Sequence, residues 1–208
     1  MSDYLSEEEQ LERLRNWWQR NGVVLLIGVV AVVAAVVGWR WYQNNQEQQL
    51  LAASDLFAQF QAAQGDARDD LAARILETGA GTAYPAFVLF EQADAAVAED
   101  DVAAAEPLLR RALEMASGQE LADTARLRLA RVLFDLDRGD EALTLLGMVQ
   151  GSGFLSLAAE LKGDIHLSRG ERTLAHQSYL NARERLDSGE QRPVLEMKIA
   201  DTADASDS

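Results

Sequence analysis

The pattern of apolar and polar positions divides the chain into one uninterrupted apolar run and a long segment with helical periodicity. Residues 21–39 are 19 consecutive positions without a charged side chain. At a helical rise of about 1.5 Å per residue this run is about 28 Å long, close to the roughly 30 Å hydrocarbon core of a bilayer. Aromatic residues flank it on both sides: Trp17, Trp18, Trp39, Trp41 and Tyr42. Because such amphipathic rings favour headgroup depth, we predict a transmembrane helix over 21–42, after a tail of residues 1–20.

The alternative interpretation of the run is a cleavable signal peptide, with Val32 and Ala34 as a small-residue cleavage signal. Signal peptides carry a shorter apolar region of roughly 7 to 15 residues. The length of the run therefore favours a retained anchor.

Basic residues beside the run predict its orientation. Three arginines precede it: Arg13, Arg15 and Arg20. After it, Arg40 is the only basic residue before Arg68. Short flanks rich in lysine and arginine stay in the cytoplasm, and carboxylates contribute little to this rule. We therefore predict a single-pass protein of a bacterial inner membrane, with a cytoplasmic N-terminal tail and a periplasmic C-terminal domain.

The segment after the span has the composition and periodicity of packed helices. Alanine and leucine dominate it and strict period-two alternation is missing, as expected of helices rather than strands. A first helical hairpin is predicted over residues 50–63 and 69–77. A constant offset of 33 residues then relates Ala130, Ala142 and Leu146 to Gly163, Ala175 and Tyr179. One unit earlier, and separated by a slightly longer connection, the same frame holds Ala93, Ala105, Leu109 and Ala112.

Paired helices that repeat about every 34 residues are the signature of tetratricopeptide repeats. We therefore predict an all-α fold, in which the single transmembrane helix is followed by a tetratricopeptide-like α-solenoid. This helical domain is predicted over residues 43–199, and an acidic disordered tail over 200–208.

The order of several features along the chain resembles a known family. These features are the aromatic pairs around the span, the Gly38-Trp39-Arg40-Trp41-Tyr42 segment, the Leu127-Arg128-Leu129-Ala130-Arg131-Val132 segment, the last repeat with Gly163, and the Leu195-Glu196-Met197-Lys198-Ile199 segment. Together they resemble the YfgM-like ancillary subunits of the bacterial Sec translocon, over nearly the whole chain. The resemblance implies association with the SecYEG channel and with a membrane-anchored periplasmic chaperone of the parvulin-like type. Unfolded exported proteins are a further class of partner at such a site.

Charge and residue types argue against nucleic-acid binding and against catalysis. The chain has a net charge of −15, and the part after the span has 15 basic and 29 acidic residues. A field of this sign repels nucleic acid. The chain has no cysteine, no Gly-x-Ser-x-Gly motif, and two histidines, His166 and His176, that lack metal-ligand spacing. We predict no enzyme activity, no cofactor, no metal site and no small-molecule substrate.

A row of side chains on the first helix of each pair is predicted to form a partner-binding groove. In the frame set by Gly163, the row consists of Phe87, Phe90, Asp94, Val97, Thr124, Leu127, Arg131, Phe134, Leu157, Glu160, Asp164 and Leu167. An apolar groove with a few charges suits an extended or helical peptide. In the alternative, the helix after the span or the segment 194–199 folds back and covers the row. The sequence leaves both open.

Small residues recur on one face of the predicted span, at Gly28, Ala31, Ala35 and Gly38. Small residues let helix backbones pack closely within lipid, so this face could dock the span of a membrane partner. The alternative is an accidental stripe in a valine-rich helix.

Together these observations predict a non-enzymatic protein-interaction adaptor at the exit of a translocation channel, which would hold a periplasmic chaperone and emerging substrate nearby. The alternative is a structural tether in envelope assembly or cell division that binds one fixed partner. The two differ in whether the groove accepts many sequences or one.

Overall fold

The computed structural model describes residues 7–186 and 189–203. Within these residues the chain is helical and has no strand, which confirms the all-α prediction. The helices are α1 (Glu7–Ala62), α2 (Asp66–Thr78), α3 (Tyr84–Ala98), α4 (Val102–Met115), α5 (Gln119–Asp135), α6 (Gly139–Gly147), α7 (Ser152–Ser168), α8 (Arg172–Glu184) and α9 (Pro193–Ala203). The chain divides into two compact units, Met1–Leu51 and Ala52–Ser208.

The boundary between the two units lies inside α1, later than the residue 43 predicted for the start of the helical domain. Helix α1 continues past the predicted span because neither glycine nor proline occurs between Gly38 and Gly65. The polar stretch of residues 43–49 is therefore part of this helix.

In the first unit, α1 is long and apolar enough to cross a membrane. The mean hydropathy of its most apolar stretch is 2.7. Its apolar side chains are exposed, with Leu26, Val30 and Val37 each about 60% accessible. Exposed apolar surface of this extent is unfavourable in water and favourable in lipid.

The second unit is built from helix pairs, α3 with α4, α5 with α6, and α7 with α8. Its main core runs from α3 to α7 and includes Leu89, Leu129, Leu133, Leu146 and Ile165, each at most 2% exposed. A second core joins α7, α8 and α9. The continuous core across neighbouring pairs is that of a solenoid, in which each repeat covers its neighbours.

The repeat frame is confirmed by burial. The small residues of the repeat frame are all buried, at Ala93, Ala105, Ala112, Ala130, Ala142, Ala175 and Ala182. At Gly163 a Cβ atom would lie 2.3 Å from Cε1 of Tyr179. The small residues therefore mark the places where the paired helices approach most closely.

Both helices of the predicted first hairpin are present, as the end of α1 and as α2. The last turns of α1 and helix α2 pack on α3 through Phe60, Ala72, Ile75 and Val88, all buried. An ion pair between Arg68 and Glu91 joins α2 to α3 at the surface.

The C-terminal helix corrects one predicted boundary. Helix α9 extends to Ala203, so residues 200–203 belong to it and not to a disordered tail. Thr202 is 1% exposed and its hydroxyl lies 3.0 Å from Nδ1 of His176, and this burial explains why the helix continues. Residues 204–208 of the predicted tail, and residues 1–6, lie outside the described residues, and residues 7–20 are helical.

We predict that Gly163→Ala lowers the free energy of unfolding by about 1 to 3 kcal/mol, because the new methyl group overpacks the contact with the buried Tyr179 ring. The gain of about 1 kcal/mol in helix propensity acts in the opposite direction. Gly153→Ala is the matched control, since Gly153 lies in the same helix and nothing would be within 4 Å of its Cβ. Far-UV circular dichroism of the full chain in nonionic detergent would follow unfolding. Equal stability of the two variants would show that the close contact is not a constraint.

Candidate partner-binding site

The first helices of the three pairs, α3, α5 and α7, line a cleft of about 430 Å³. Six of the predicted groove residues lie along it: Asp94, Val97, Leu127, Arg131, Leu157 and Glu160. Val97 and Leu157 are each 44% exposed, on α3 and α7 respectively. The cleft therefore offers accessible apolar side chains between charged ones, which suits a peptide.

The aromatic members of the predicted row do not line this cleft. Phe90 is 5% exposed and the guanidinium carbon of Arg128 lies 4.8 Å from the centre of its ring. Phe134 is partly buried and packs on the main core. The expectation of one open groove that includes both rings is therefore wrong for this cleft, because α3 and α5 turn these side chains toward the main core.

Phe87 lies at a different place. It is 39% exposed and belongs to an aromatic cluster, with ring centres 6.0 Å from Phe57 and 6.4 Å from Tyr84. Phe87 and Thr124 border a second pocket near the beginnings of α3 and α5. Leu167, near the end of α7, is 37% exposed and does not border the cleft.

An ion network closes the end of the cleft at α9. Lys198 donates to Glu160 Oε1 at 2.9 Å and to Asp164 Oδ1 at 2.7 Å. Arg192 approaches Glu160 Oε2 at 2.7 Å, outside hydrogen-bond geometry, and Arg131 lies 3.7 Å from Asp164. The predicted groove carboxylates of Glu160 and Asp164 are therefore neutralised within the chain. The C-terminal segment contacts this end, while the cleft between α3, α5 and α7 remains open.

The network also changes two protonation equilibria. Burial lowers the pKa of Lys198, but its hydrogen bonds to Asp164 and Glu160 have the larger combined effect and raise this pKa above its usual value. Burial raises the pKa of Tyr179, and the hydrogen bond to Asp164 raises it further. The Tyr179 hydroxyl therefore stays neutral and donates to Asp164 at 2.9 Å.

Sequence reasoning missed Arg128, Asp135 and Arg192, which also border the cleft. Arg128 donates to both carboxylate oxygens of Asp94, at 2.8 and 2.9 Å. A signal for this pair existed, because Asp94 and Arg128 are 34 residues apart. Oppositely charged residues one repeat apart indicate contacts between neighbouring repeats.

Asp123 is a second residue that the sequence did not reveal. It is fully buried, and Oδ2 accepts from the backbone N–H of Gly151 at 2.7 Å and of Gln150 at 3.2 Å. Oδ1 accepts from Gln119 at 3.0 Å and from Arg126 at 2.7 Å. Asp123 thereby fixes the loop before α7 against α5, which positions Leu157 and Glu160 along the cleft.

The two histidines lie apart, each with a local partner. His166 Nδ1 is 2.6 Å from Glu171 Oε2, and His176 contacts Thr202 as described above. In the described ranges, no three His, Asp or Glu side chains are grouped so that they could hold a metal ion. The absence of a cofactor and of catalytic residues stays a prediction.

The small-residue face of α1 is open in the first unit. Nothing lies within 4 Å of a Cβ built on Gly28 or Gly38, and Ala31 and Ala35 are exposed. Docking of a partner helix on this face stays a prediction.

Comparisons with known proteins agree on one family. The family model described as a tetratricopeptide repeat-like domain matches residues 15–204. Three relatives carry the name ancillary SecYEG translocon subunit. That of Haemophilus influenzae is 30% identical, over 96% of this chain and 98% of its own. Those of Aggregatibacter actinomycetemcomitans and Escherichia coli are each 29% identical, over 93% and 86% of this chain and 97% and 88% of their own. No solved structure matches the chain at a significant level.

We predict that Asp123→Asn destabilises the chain at neutral pH by about 1 to 3 kcal/mol, since the amide turns one acceptor into a donor in a buried site lined by donors. Burial raises the pKa of Asp123, but its four hydrogen bonds outweigh burial and lower it below 3.8. Its stabilisation is therefore present above that value and is lost as the pH falls through the lower folded pKa.

The measurement is urea unfolding of the full chain at several pH values. The stability difference between wild type and Asp123→Asn should shrink as the pH falls below 3.8. The exposed Asp55→Asn makes the same change in charge and serves as control. A difference that does not depend on pH in this range would contradict the assignment.

Proposed function

This chain belongs to the tetratricopeptide repeat-like family of the ancillary SecYEG translocon subunits, and we propose that it is a membrane-anchored, non-enzymatic adaptor of the Sec translocon. The observation that carries the proposal is that the similarity covers both units of the chain. The family model begins at residue 15, before the apolar run of α1, and ends at residue 204, after α9. Anchor and helical domain therefore occur together in the relatives that carry this name.

The proposed position is the inner membrane, crossed once by α1. The length and hydropathy of α1 support the span, and the arginines before it support a cytoplasmic N-terminus. The helical domain then lies in the periplasm. The small-residue face of α1, with Gly28, Ala31, Ala35 and Gly38, is the proposed contact with a membrane partner.

The proposed task of the helical domain is to hold a periplasmic chaperone, and emerging substrate, near the channel exit. The cleft supports this task because Val97, Leu127 and Leu157 offer apolar contact. Most charged groups beside them already have partners: Asp94, Arg128, Arg131, Glu160 and Arg192. A peptide bound there gains mainly from burial of apolar surface. Such binding tolerates sequence variation, which favours an adaptor over a tether with one fixed partner.

We predict that Leu157→Glu weakens recovery of the periplasmic partner by about tenfold while the helical content is unchanged, because the leucine is exposed and contributes to association more than to folding. Met197→Glu is the matched control, since Met197 is 63% exposed on α9 and does not border the cleft. The readout is quantitative mass spectrometry of co-purified proteins, with a photo-crosslinking residue at position 157.

Equal recovery of the periplasmic partner by the Leu157→Glu and Met197→Glu variants would show that the cleft is not its binding site. A single constant crosslinked partner with no exported proteins would favour the tether. A crosslinking residue at position 31 tests the α1 face in the same cells, and SecYEG subunits are the expected partners there.

We predict that a reporter active only in the periplasm is active when fused after Ser208. The cause is the excess of arginine before the span, which keeps the N-terminal tail inside. A cytoplasm-specific reporter fused at the same place should be inactive. Reversal of the two signals, or release of a soluble fragment that begins near Ala35, would contradict the topology.

A further inference from the structure

A second groove lies on a different face of α7 from the cleft. It has a volume of about 470 Å³ and is bordered by α6, α7 and α8. Leu155 and Lys162 of α7 border this groove, whereas Leu157 and Glu160 border the cleft. Positions seven apart on a helix share a face, while positions two apart do not. One helix therefore supports two separate surfaces.

Two cations border this groove without an acidic partner in the part of the chain that the structure describes. Lys162 makes no ion pair there, and Arg185 donates only to the amide oxygen of Asn181, at 2.7 Å. The cations of the cleft are different, since Arg128, Arg131 and Arg192 each have a carboxylate partner. The chain has a net charge of −15, so carboxylates are in excess, yet these two neighbouring cations have no carboxylate partner among the described residues.

The environment of Lys162 makes its positive charge unfavourable in the free protein. Burial lowers the pKa of Lys162, and the nearby Arg185 guanidinium lowers it further. A carboxylate placed between the two cations would reverse both effects, because it pairs with a partly desolvated ammonium and separates two like charges. The groove is thus complementary to an anion.

The other residues that line the groove indicate which class of ligand provides the anion. Leu174 is 46% exposed, and the buried Leu146 and Val149 lie beneath. The side-chain amides of Gln177 and Asn181 border the same groove and can pair with a peptide backbone. Two cations are few for a polyanion, and the net charge of the chain repels nucleic acid and anionic lipid surfaces. An apolar floor beside two cations fits a short peptide with apolar and acidic residues.

We propose that the groove between α6 and α8 binds an acidic, leucine-containing segment of a partner protein, with Lys162 and Arg185 pairing with its carboxylates and Leu174 contacting its apolar side chains. This surface does not depend on the concave cleft or on the proposed Sec assignment.

The test uses the full chain in nonionic detergent and a short fluorescein-labelled peptide in which leucine and aspartate alternate among serines. Fluorescence anisotropy measures binding to wild type, to Lys162→Gln/Arg185→Gln, and to Arg74→Gln/Arg111→Gln. The last variant makes the same change in net charge at two exposed arginines outside the groove. We expect the groove variant to bind about tenfold more weakly than wild type and the control to stay within about twofold.

Two further measurements test whether the carboxylate is recognised and whether Lys162 has a structural role instead. A peptide with asparagine in place of aspartate should lose about tenfold in affinity. Lys162→Met should leave the melting temperature of the free chain unchanged or higher, because it removes an unpaired, partly buried charge. A lowered melting temperature would assign Lys162 a structural role and overturn the proposal.

Three binding results would also overturn it. Equal losses in the groove variant and the control would show attraction by net charge alone. Equal affinity for the aspartate and asparagine peptides would show that the carboxylate is not recognised. Displacement of the peptide by an equimolar amount of sodium phosphate would indicate a site for small anions rather than for a peptide.

Discussion

The close approach of the two helices in each pair determines where every other side chain of the helical domain lies. At Gly163 only a hydrogen atom fits against the Tyr179 ring, and Ala130 and Leu146 occupy the positions equivalent to Gly163 and Tyr179 one repeat earlier. Because these contacts fix the separation and rotation of the helices, they also decide which neighbouring residues face outward. Ala130 is fully buried, while the next residue, Arg131, is exposed on the cleft.

Charges add specificity to this packing rather than much stability. The pair of Asp94 and Arg128 joins neighbouring repeats, but both side chains are more than 40% exposed, and pairs of this kind contribute about 0 to 1 kcal/mol. Glu160 is different, because it is only 8% exposed. A buried carboxylate that loses a cation partner is strongly destabilised, so Arg192 and Lys198 add to the apolar contacts of Leu195 and Ile199 that dock α9 at this end.

The sequence was sufficient to predict the helix pairs, because their period and their small residues are local properties of the chain. The sequence was insufficient to predict which side chains of α3 face the cleft. A repeat frame aligns equivalent positions but does not show which of them the neighbouring helices bury. Phe90 was therefore misplaced. The partners of Glu160 could not be predicted either, because α9 is a short single helix that repeats no pattern. Asp123 has the appearance of a solvated helix residue, and only the folded loop at Gln150 and Gly151 provides its donors.

The two surfaces of α7 differ in the state of their charges, and this difference predicts different modes of recognition. In the cleft, a charged ligand competes with ion pairs that already exist, so apolar contacts at Val97 and Leu157 remain as the main source of affinity. In the groove, Lys162 and Arg185 have no such competitor, so a carboxylate gains the full benefit of pairing. The cleft should therefore discriminate weakly among sequences, whereas the groove should select for acidic ones. The adaptor function proposed above, with one defined partner and many transient ones, would need both properties.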